Sequence, residues 1–299
     1  MSIHNIAVLM TSFNRRELTL RSLGSLYGQK IPSDIQLTVF LVDDGCTDGT
    51  AEAVRARFPG VNILNGDGSL FWNGGMRMAF EAAMRGAPDA YLFLNDDTIL
   101  NEDALMGVVA CARSWVAVGA PAIVVGSTRS PITGKHSYGG IARRLRGMEL
   151  KLEKVMPHSS SSTPCDTMNG NFALIPKQIA AIVGNVERRF RHQFGDLDYG
   201  LRARRAGFDV VVAPGYVGEC HPNSPAGSWR DPRMSFARRW ASLISPKGVP
   251  FPEWLLFTRR HYGWRWPYYA VSPYLKTIAS SLFSRNNIDA SGDAATPRP

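Results

Sequence analysis

Cysteine is scarce and scattered: Cys46, Cys111, Cys165 and Cys220 form no CxxC pair, which speaks against a structural zinc site or a disulfide framework and fits a reducing compartment. No GxGxxG and no GxxxxGKS/T occurs, so neither a dinucleotide oxidoreductase nor a P-loop NTPase is indicated. Long apolar runs are missing too. The most membrane-like tract, Trp266 to Ser284, is interrupted by Pro267, Pro273 and Lys276, whereas a spanning helix takes about 20 predominantly apolar residues. The start MSIHNIAVLMTSFN lacks a basic region followed by an apolar core and a cleavage site, so a cytoplasmic location is expected. No repeat at a period of about 20 to 50 residues is seen.

Acidic residues are thin in the later part of the chain. Residues 1–100 carry 8 Lys/Arg against 11 Asp/Glu, and residues 101–299 carry 26 against 14. Such a basic surplus attracts phosphate-bearing substrates, anionic headgroups or nucleic acid, and charge alone does not choose among them. With 299 residues and 44% hydrophobic content, one large domain or two joined halves can bury a substantial core.

What is present is an alternation of strands and helices. Ile6 to Met10 reads as a buried strand, and TSFNRR leads into a helix through Leu18, Leu23 and Leu26. QLTVFLVDDG gives a second strand, followed by AEAVRARF as a helix; Val61 to Leu64 gives a third, followed by the glycine-rich NGDGSLFWNGG and a helix MRMAFEAAMRG; YLFLN gives a fourth. This is the pattern of an α/β protein with a mostly parallel central sheet flanked by helices, whose ligands gather beyond the carboxyl ends of the strands. Each polar cluster falls at such an end: Thr11 to Asn14, Asp43 and Asp44, the glycine loop, and Asn95 to Asp97. Farther on, VAVGAPAIV is strand-like, 127–164 reads as a hairpin with a loop, and NGNFALIP and FDVVVAP read as strands. GDLDYGLRARRAGF reads as a helix with an Asp198–Arg202 pair. Residues 285–299 have the composition of a disordered tail.

Asp96 and Asp97 side by side at a buried strand end call for a compensating cation, and hard carboxylate oxygens suit Mg²⁺ or Mn²⁺. Asp43 or Asp44 either accepts hydrogen bonds from a base or ribose or bonds its own turn, as aspartate in DDG often does. Gly74 and Gly75, placed ahead of a helix with Arg77 in its first turn, suggest a diphosphate cradle. Asp196, at the start of a helix and beside arginines, is the candidate general base. His221, after a strand-like stretch, is a candidate metal ligand through a neutral imidazole nitrogen.

LMTSFNRRELTLRSL, VFLVDDGCTDGT, LFWNGGMRMA, YLFLNDDT, and MNGNFALIP with GDLDYGLRARRAGF together resemble glycosyltransferase family 2, particularly its bacterial rhamnosyltransferase-like branch. The resemblance covers roughly residues 5–222. It implies the GT-A fold of inverting, metal-dependent nucleotide-diphospho-sugar transferases, with a C-terminal helical extension. The implied division is a catalytic domain over 1–222, with a nucleotide-sugar half (1–115) and an acceptor half (116–222), then a basic aromatic extension over 223–284. By position, Asp43 and Asp44 fall at the nucleotide site and Asn95 and Asp97 at the two ends of the metal motif; Thr11, Asn14, Arg15, Gly74, Gly75, Arg77, Asn95 and Asp96 are further candidate nucleotide-sugar-binding residues. Asp97 falls at the metal and Asp196 at the base. Two departures stand out: Asn95 replaces the usual first aspartate of the metal motif, and Gly195 replaces an acid often found before the base.

The implied partners are a nucleotide-sugar donor and a glycan or lipid-diphosphate-linked acceptor of surface-polysaccharide synthesis, while the mixed aromatics and bases of 253–276 suit either docking on the inner face of the cytoplasmic membrane or packing of a C-terminal helical region against the main domain. No nucleic acid is expected as a partner. Competing readings are a nucleotidyltransferase acting on sugar phosphates and a noncatalytic carbohydrate- or nucleic-acid-binding module.

Overall fold

The computed structural model describes residues 3–147 and 149–292, the last twelve of them as backbone only. In chain order the elements begin β1 (Asn5–Ser12), α1 (Arg16–Tyr27), β2 (Gln36–Asp43), α2 (Thr50–Arg57), β3 (Asn62–Asn65), α3 (Phe71–Met84), β4 (Ala90–Leu94), β5 (Ile99–Leu100) and α4 (Ala104–Ala117). They continue with β6 (Ala122–Arg129), β7 (Gly140–Arg146), β8 (Glu149–Lys154), β9 (Thr163–Cys165), β10 (Thr167–Met168), β11 (Phe172–Pro176), α5 (Lys177–Val183), α6 (Gly195–Arg205) and β12 (Asp209–Glu219). Last come α7 (Phe236–Ile244), α8 (Phe251–His261) and, after one tight 3-10 turn, α9 (Trp266–Gly292).

The main sheet runs β3-β2-β1-β4-β11-β6-β12-β5, with β9 also on β12. β1, β2, β3 and β4 are mutually parallel, β6 and β12 are parallel, and β11 lies antiparallel between β4 and β6. β1, β2, β4, β6 and β12 therefore all present their carboxyl ends to one rim. The strands are apolar on both sides because both sides are covered. Ile6, Val8 and Met10 of β1 pack with Leu23 and Leu26 of α1 and Val108 of α4; Ala7 and Leu9 pack on the opposite face with Met76 and Phe80 of α3 and Tyr199 of α6.

The hairpin expected in the 127–164 segment is β7–β8, which forms a small second sheet with β10. The strand expected from VAVGAPAIV starts only at Ala122, because Val116 and Ala117 finish α4. The chain divides into two compact units, Met1–Pro222 and Asn223–Pro299. In the second, aromatic contacts link Trp254, Phe257, Tyr262 and Tyr269, and the Trp254 indole N–H donates to the Tyr269 carbonyl at 2.7 Å. α9 runs to Gly292 and so takes in the first residues of the tail expected to be disordered from 285, since an established helix propagates easily where no proline intervenes. Residues 293–299 lie outside the described residues.

Candidate active site

The rim is built by loops that hold one another in place. After β1 the chain turns through Asn14 at φ 52°, a left-handed conformation that asparagine tolerates. The Asn14 side-chain oxygen accepts the Thr47 backbone N–H at 2.7 Å, tying this loop to the turn after β2. Asp43 is buried and accepts the Cys46 N–H at 2.8 Å.

Asp44 is 2% exposed, and its carboxylate accepts the backbone N–H groups of Gly68 (2.9 Å), Leu70 (3.3 Å) and Phe71 (3.0 Å). It anchors the glycine loop and caps the start of α3 across a long stretch of chain, whereas the local turn contact expected of a DDG aspartate is the one Asp43 makes with the Cys46 N–H. A Cβ at Gly66 would lie 2.6 Å from Asp44 Oδ1, so the loop wraps the carboxylate only with glycine there.

This cap revises the diphosphate cradle. α3 starts at Phe71, so Gly74 and Gly75 lie inside it rather than ahead of it, and the Gly74 N–H already donates to the Leu70 carbonyl at 3.1 Å. The absence of a side chain at Gly75 serves packing instead: a Cβ would meet Thr11 Oγ1 at 2.1 Å, so the two residues let α3 lie close on β1. Arg77 sits in the second turn and donates to the Val186 carbonyl at 3.1 Å.

The compensating cation demanded by Asp96 and Asp97 is present, and it is Arg15. Its Nη1 donates to Asp96 Oδ1 at 3.2 Å and Asp97 Oδ2 at 2.9 Å. Burial pushes the Asp96 carboxyl up to about 6, with the guanidinium opposing that shift. Burial likewise pulls Arg15 down, but the two acids outweigh it and the net shift is upward. Asp97 Oδ1 accepts from the buried Cys220 thiol at 3.5 Å; burial pushes that thiol up to about 12, so it stays protonated. His221 follows with an exposed side chain. Among the described residues no three His, Cys, Asp or Glu side chains converge as a metal shell. The partly exposed Asp97 carboxylate beside Asp96 fits a divalent cation as a partial oxygen donor set, the rest being left to water or ligand oxygens.

Asn95 joins this acidic corner to the other half of the rim. Its side-chain oxygen accepts the Trp72 indole N–H at 2.7 Å, and its backbone N–H donates to the Asn171 carbonyl at 3.1 Å. Trp72 packs over Gly170, where a Cβ would lie 2.4 Å from the ring. The Gly170 N–H then donates to Asp196 Oδ2 at 2.9 Å. Asp196 stands in the first turn of α6 and also accepts the Leu197 N–H at 2.8 Å; burial raises its carboxyl, against the pull of those two N–H groups. Asp198, by contrast, is fully buried and pairs with Arg202 at 2.8 Å, as its spacing indicates.

Gly195 is required sterically, since a Cβ there would fall 1.7 Å from Asn73 Oδ1, and Asn73 is fixed by donating to the Glu187 and Phe190 carbonyls. Gly195→Ala is expected to cost about 1–3 kcal/mol of stability by overpacking, read from denaturant midpoints; a wild-type midpoint would show that Asn73 yields freely.

Two rim residues escaped the sequence reading. Phe13 is 51% exposed beside Gly68, and Trp72 bridges Asn95 and Gly170. Both lay in motifs already singled out, but their contacts, Phe13 near Gly68 and Trp72 with Asn95 and Gly170, join segments remote in sequence.

Residues 4–240 match the family model described as glycosyltransferase-like family 2. The chain is 24% identical over 290 residues to N-acetylglucosaminyl-diphospho-decaprenol L-rhamnosyltransferases from two strains of Mycobacterium tuberculosis, covering 90% of this chain and 87% of theirs. Its fold is similar to that of a mannosyltransferase from Pyrobaculum calidifontis solved in complex with GDP-Man and Mn²⁺. That match has a TM-score of 0.52 and 17% identity, and covers 98% of this chain and 76% of the other.

Proposed function

Because the chain belongs to glycosyltransferase-like family 2 and has the α/β GT-A fold, we propose that it is an inverting enzyme moving a sugar from a nucleotide-sugar donor to a hydroxyl of a lipid-diphosphate-linked glycan in surface-polysaccharide synthesis. The observation that carries this reading is the unbroken run of contacts from Asp96 and Asp97 through Asn95, Trp72 and Gly170 to Asp196, which supports a leaving-group corner and a base sharing one rim. The lipid-linked acceptor rests on the names of the mycobacterial relatives.

Asp196 accepts the proton of the attacking hydroxyl as its oxygen bonds to the anomeric carbon, and the bond to the diphosphate breaks on the opposite side. The Gly170 and Leu197 N–H groups hold the carboxylate in place, and desolvation makes it more basic than an exposed aspartate. Phe13 offers its exposed ring, near Gly68, to the base of the donor. Asp97 would hold Mg²⁺ or Mn²⁺, with the donor diphosphate supplying further oxygens and His221 a candidate additional ligand. Such an ion, when bound, neutralises charge developing on the leaving diphosphate. A panel of nucleotide sugars tests the reaction class: release of nucleoside diphosphate is expected, whereas pyrophosphate release from an NTP and a sugar phosphate would favour nucleotidyl transfer.

The C-terminal unit supports peripheral attachment to an anionic membrane surface, where such acceptors reside. Among the described residues, no helix is long and apolar enough to cross a membrane. Yet α9 presents Tyr268, Val271, Leu275 and Ile278 outward at helical spacing, with Tyr268 62% and Leu275 59% exposed, and Trp264 just ahead is 68% exposed. Residues 223–280 hold nine Lys/Arg and two Asp/Glu, and both acids, Asp231 and Glu253, are buried. Tyr268→Glu/Leu275→Glu is expected to weaken flotation with anionic vesicles by roughly tenfold or more. Unchanged flotation, or none by wild type at low salt, would count against attachment.

A further inference from the structure

Arg15 does more than balance two acids. Its guanidinium sits at 2.9 Å from Asp97 Oδ2 and 3.2 Å from Asp96 Oδ1, on the carboxylates that the proposed divalent ion needs, while the side chain remains about half exposed. It projects from the residue preceding α1, with Asn14 and Thr47 pinning the turn behind it. One guanidinium against two carboxylates leaves the corner net negative, so it still attracts cations. A divalent ion on Asp97 would nevertheless share that carboxylate with the guanidinium, and two positive groups on one carboxylate repel.

We propose that Arg15 exchanges partners when the donor binds, leaving Asp96 and Asp97 for the diphosphate and thereby freeing Asp97 for the divalent ion. The proposal rests on the transferase reading above. A guanidinium matches phosphate oxygens with paired N–H donors, and a diphosphate carries enough negative charge to outcompete a carboxylate for it. Arg15 is thus a positioning residue that makes ion binding conditional on the nucleotide. By linkage, the ion must tighten nucleotide binding by the same factor.

The test measures Mn²⁺ binding by the disappearance of the free-ion EPR signal, without nucleotide and then with UDP, GDP or dTDP. Wild type should bind Mn²⁺ weakly alone and roughly tenfold or more tightly with the matching nucleotide. Arg15→Gln should bind Mn²⁺ alone roughly tenfold more tightly than wild type, while its affinity for the nucleotide falls. Arg15→Lys, which keeps the charge, should stay near wild type in its nucleotide-free Mn²⁺ affinity, which a purely structural role for Arg15 would not predict. Nucleotide-dependent Mn²⁺ binding that is identical in wild type and Arg15→Gln would overturn the exchange and leave the ion site standing. Absence of Mn²⁺ binding by both proteins under every condition would overturn the ion site and the exchange together.

Discussion

Asp196→Asn is expected to lower kcat by about 10³-fold or more while leaving nucleotide-sugar affinity within about twofold of wild type. The substitution keeps the shape of the side chain and one oxygen that can still accept the Gly170 N–H, so α6 and the rim should survive. What it removes is the only group in the proposed mechanism that takes the acceptor proton. The pH profile gives a second reading of the same residue. Burial raises the Asp196 carboxyl, and only its ionised form accepts a proton, so kcat/KM should fall as pH drops through a limb above the ordinary carboxylate range. A profile flat across that range, or full turnover by the variant, would remove Asp196 as the base. Retained affinity matters as much as lost turnover, because loss of both would point to a disturbed donor site.

The second large effect belongs to Asp44. Removing its carboxylate leaves three backbone N–H groups of the 68–71 loop without their acceptor, and groups of this kind cost about 1–3 kcal/mol each when they stay buried. Some will find water. Asp44→Ala should therefore lose roughly 2–4 kcal/mol of stability, a fall in Tm on the order of 10 °C, with weakened donor binding as a consequence of the loosened loop. If Asp44 instead served mainly as a ligand contact, the variant would melt like wild type and lose only nucleotide affinity. Thermal unfolding with and without nucleotide separates the two.

The fold was readable in the sequence wherever local pattern controls structure. Runs such as Ile6 to Met10 and Tyr91 to Leu94 are apolar on both faces because helices cover both sides of their sheet, and the Asp198–Arg202 pair follows from helical spacing alone. The gathering of Asp43, Asp96 and Asp97 at strand ends was readable for the same reason. The start of α3 was not. A glycine-rich stretch looks like an open loop until Asp44, more than twenty residues earlier in the chain, turns its carboxylate into the missing cap. That long-range cap moves the helix start to Phe71 and takes Gly74 and Gly75 out of the position a phosphate cradle requires.

The acidic pair shows a similar limit. Two adjacent aspartates announce the need for positive charge, yet nothing local says that an arginine about eighty residues away supplies it. Trp72 escaped notice because its role depends on Asn95 and Gly170, which come from two other strand ends. Each missed contact joins segments remote in sequence, where spacing carries no information.

The most direct measurement is the anomeric configuration of the product, read by NMR after reaction of the donor chosen from the nucleotide-sugar panel with an N-acetylglucosaminyl-diphospho-polyprenol. A single displacement with Asp196 as base predicts a product configuration opposite to that of the donor sugar. A product with the donor's configuration retained would contradict it.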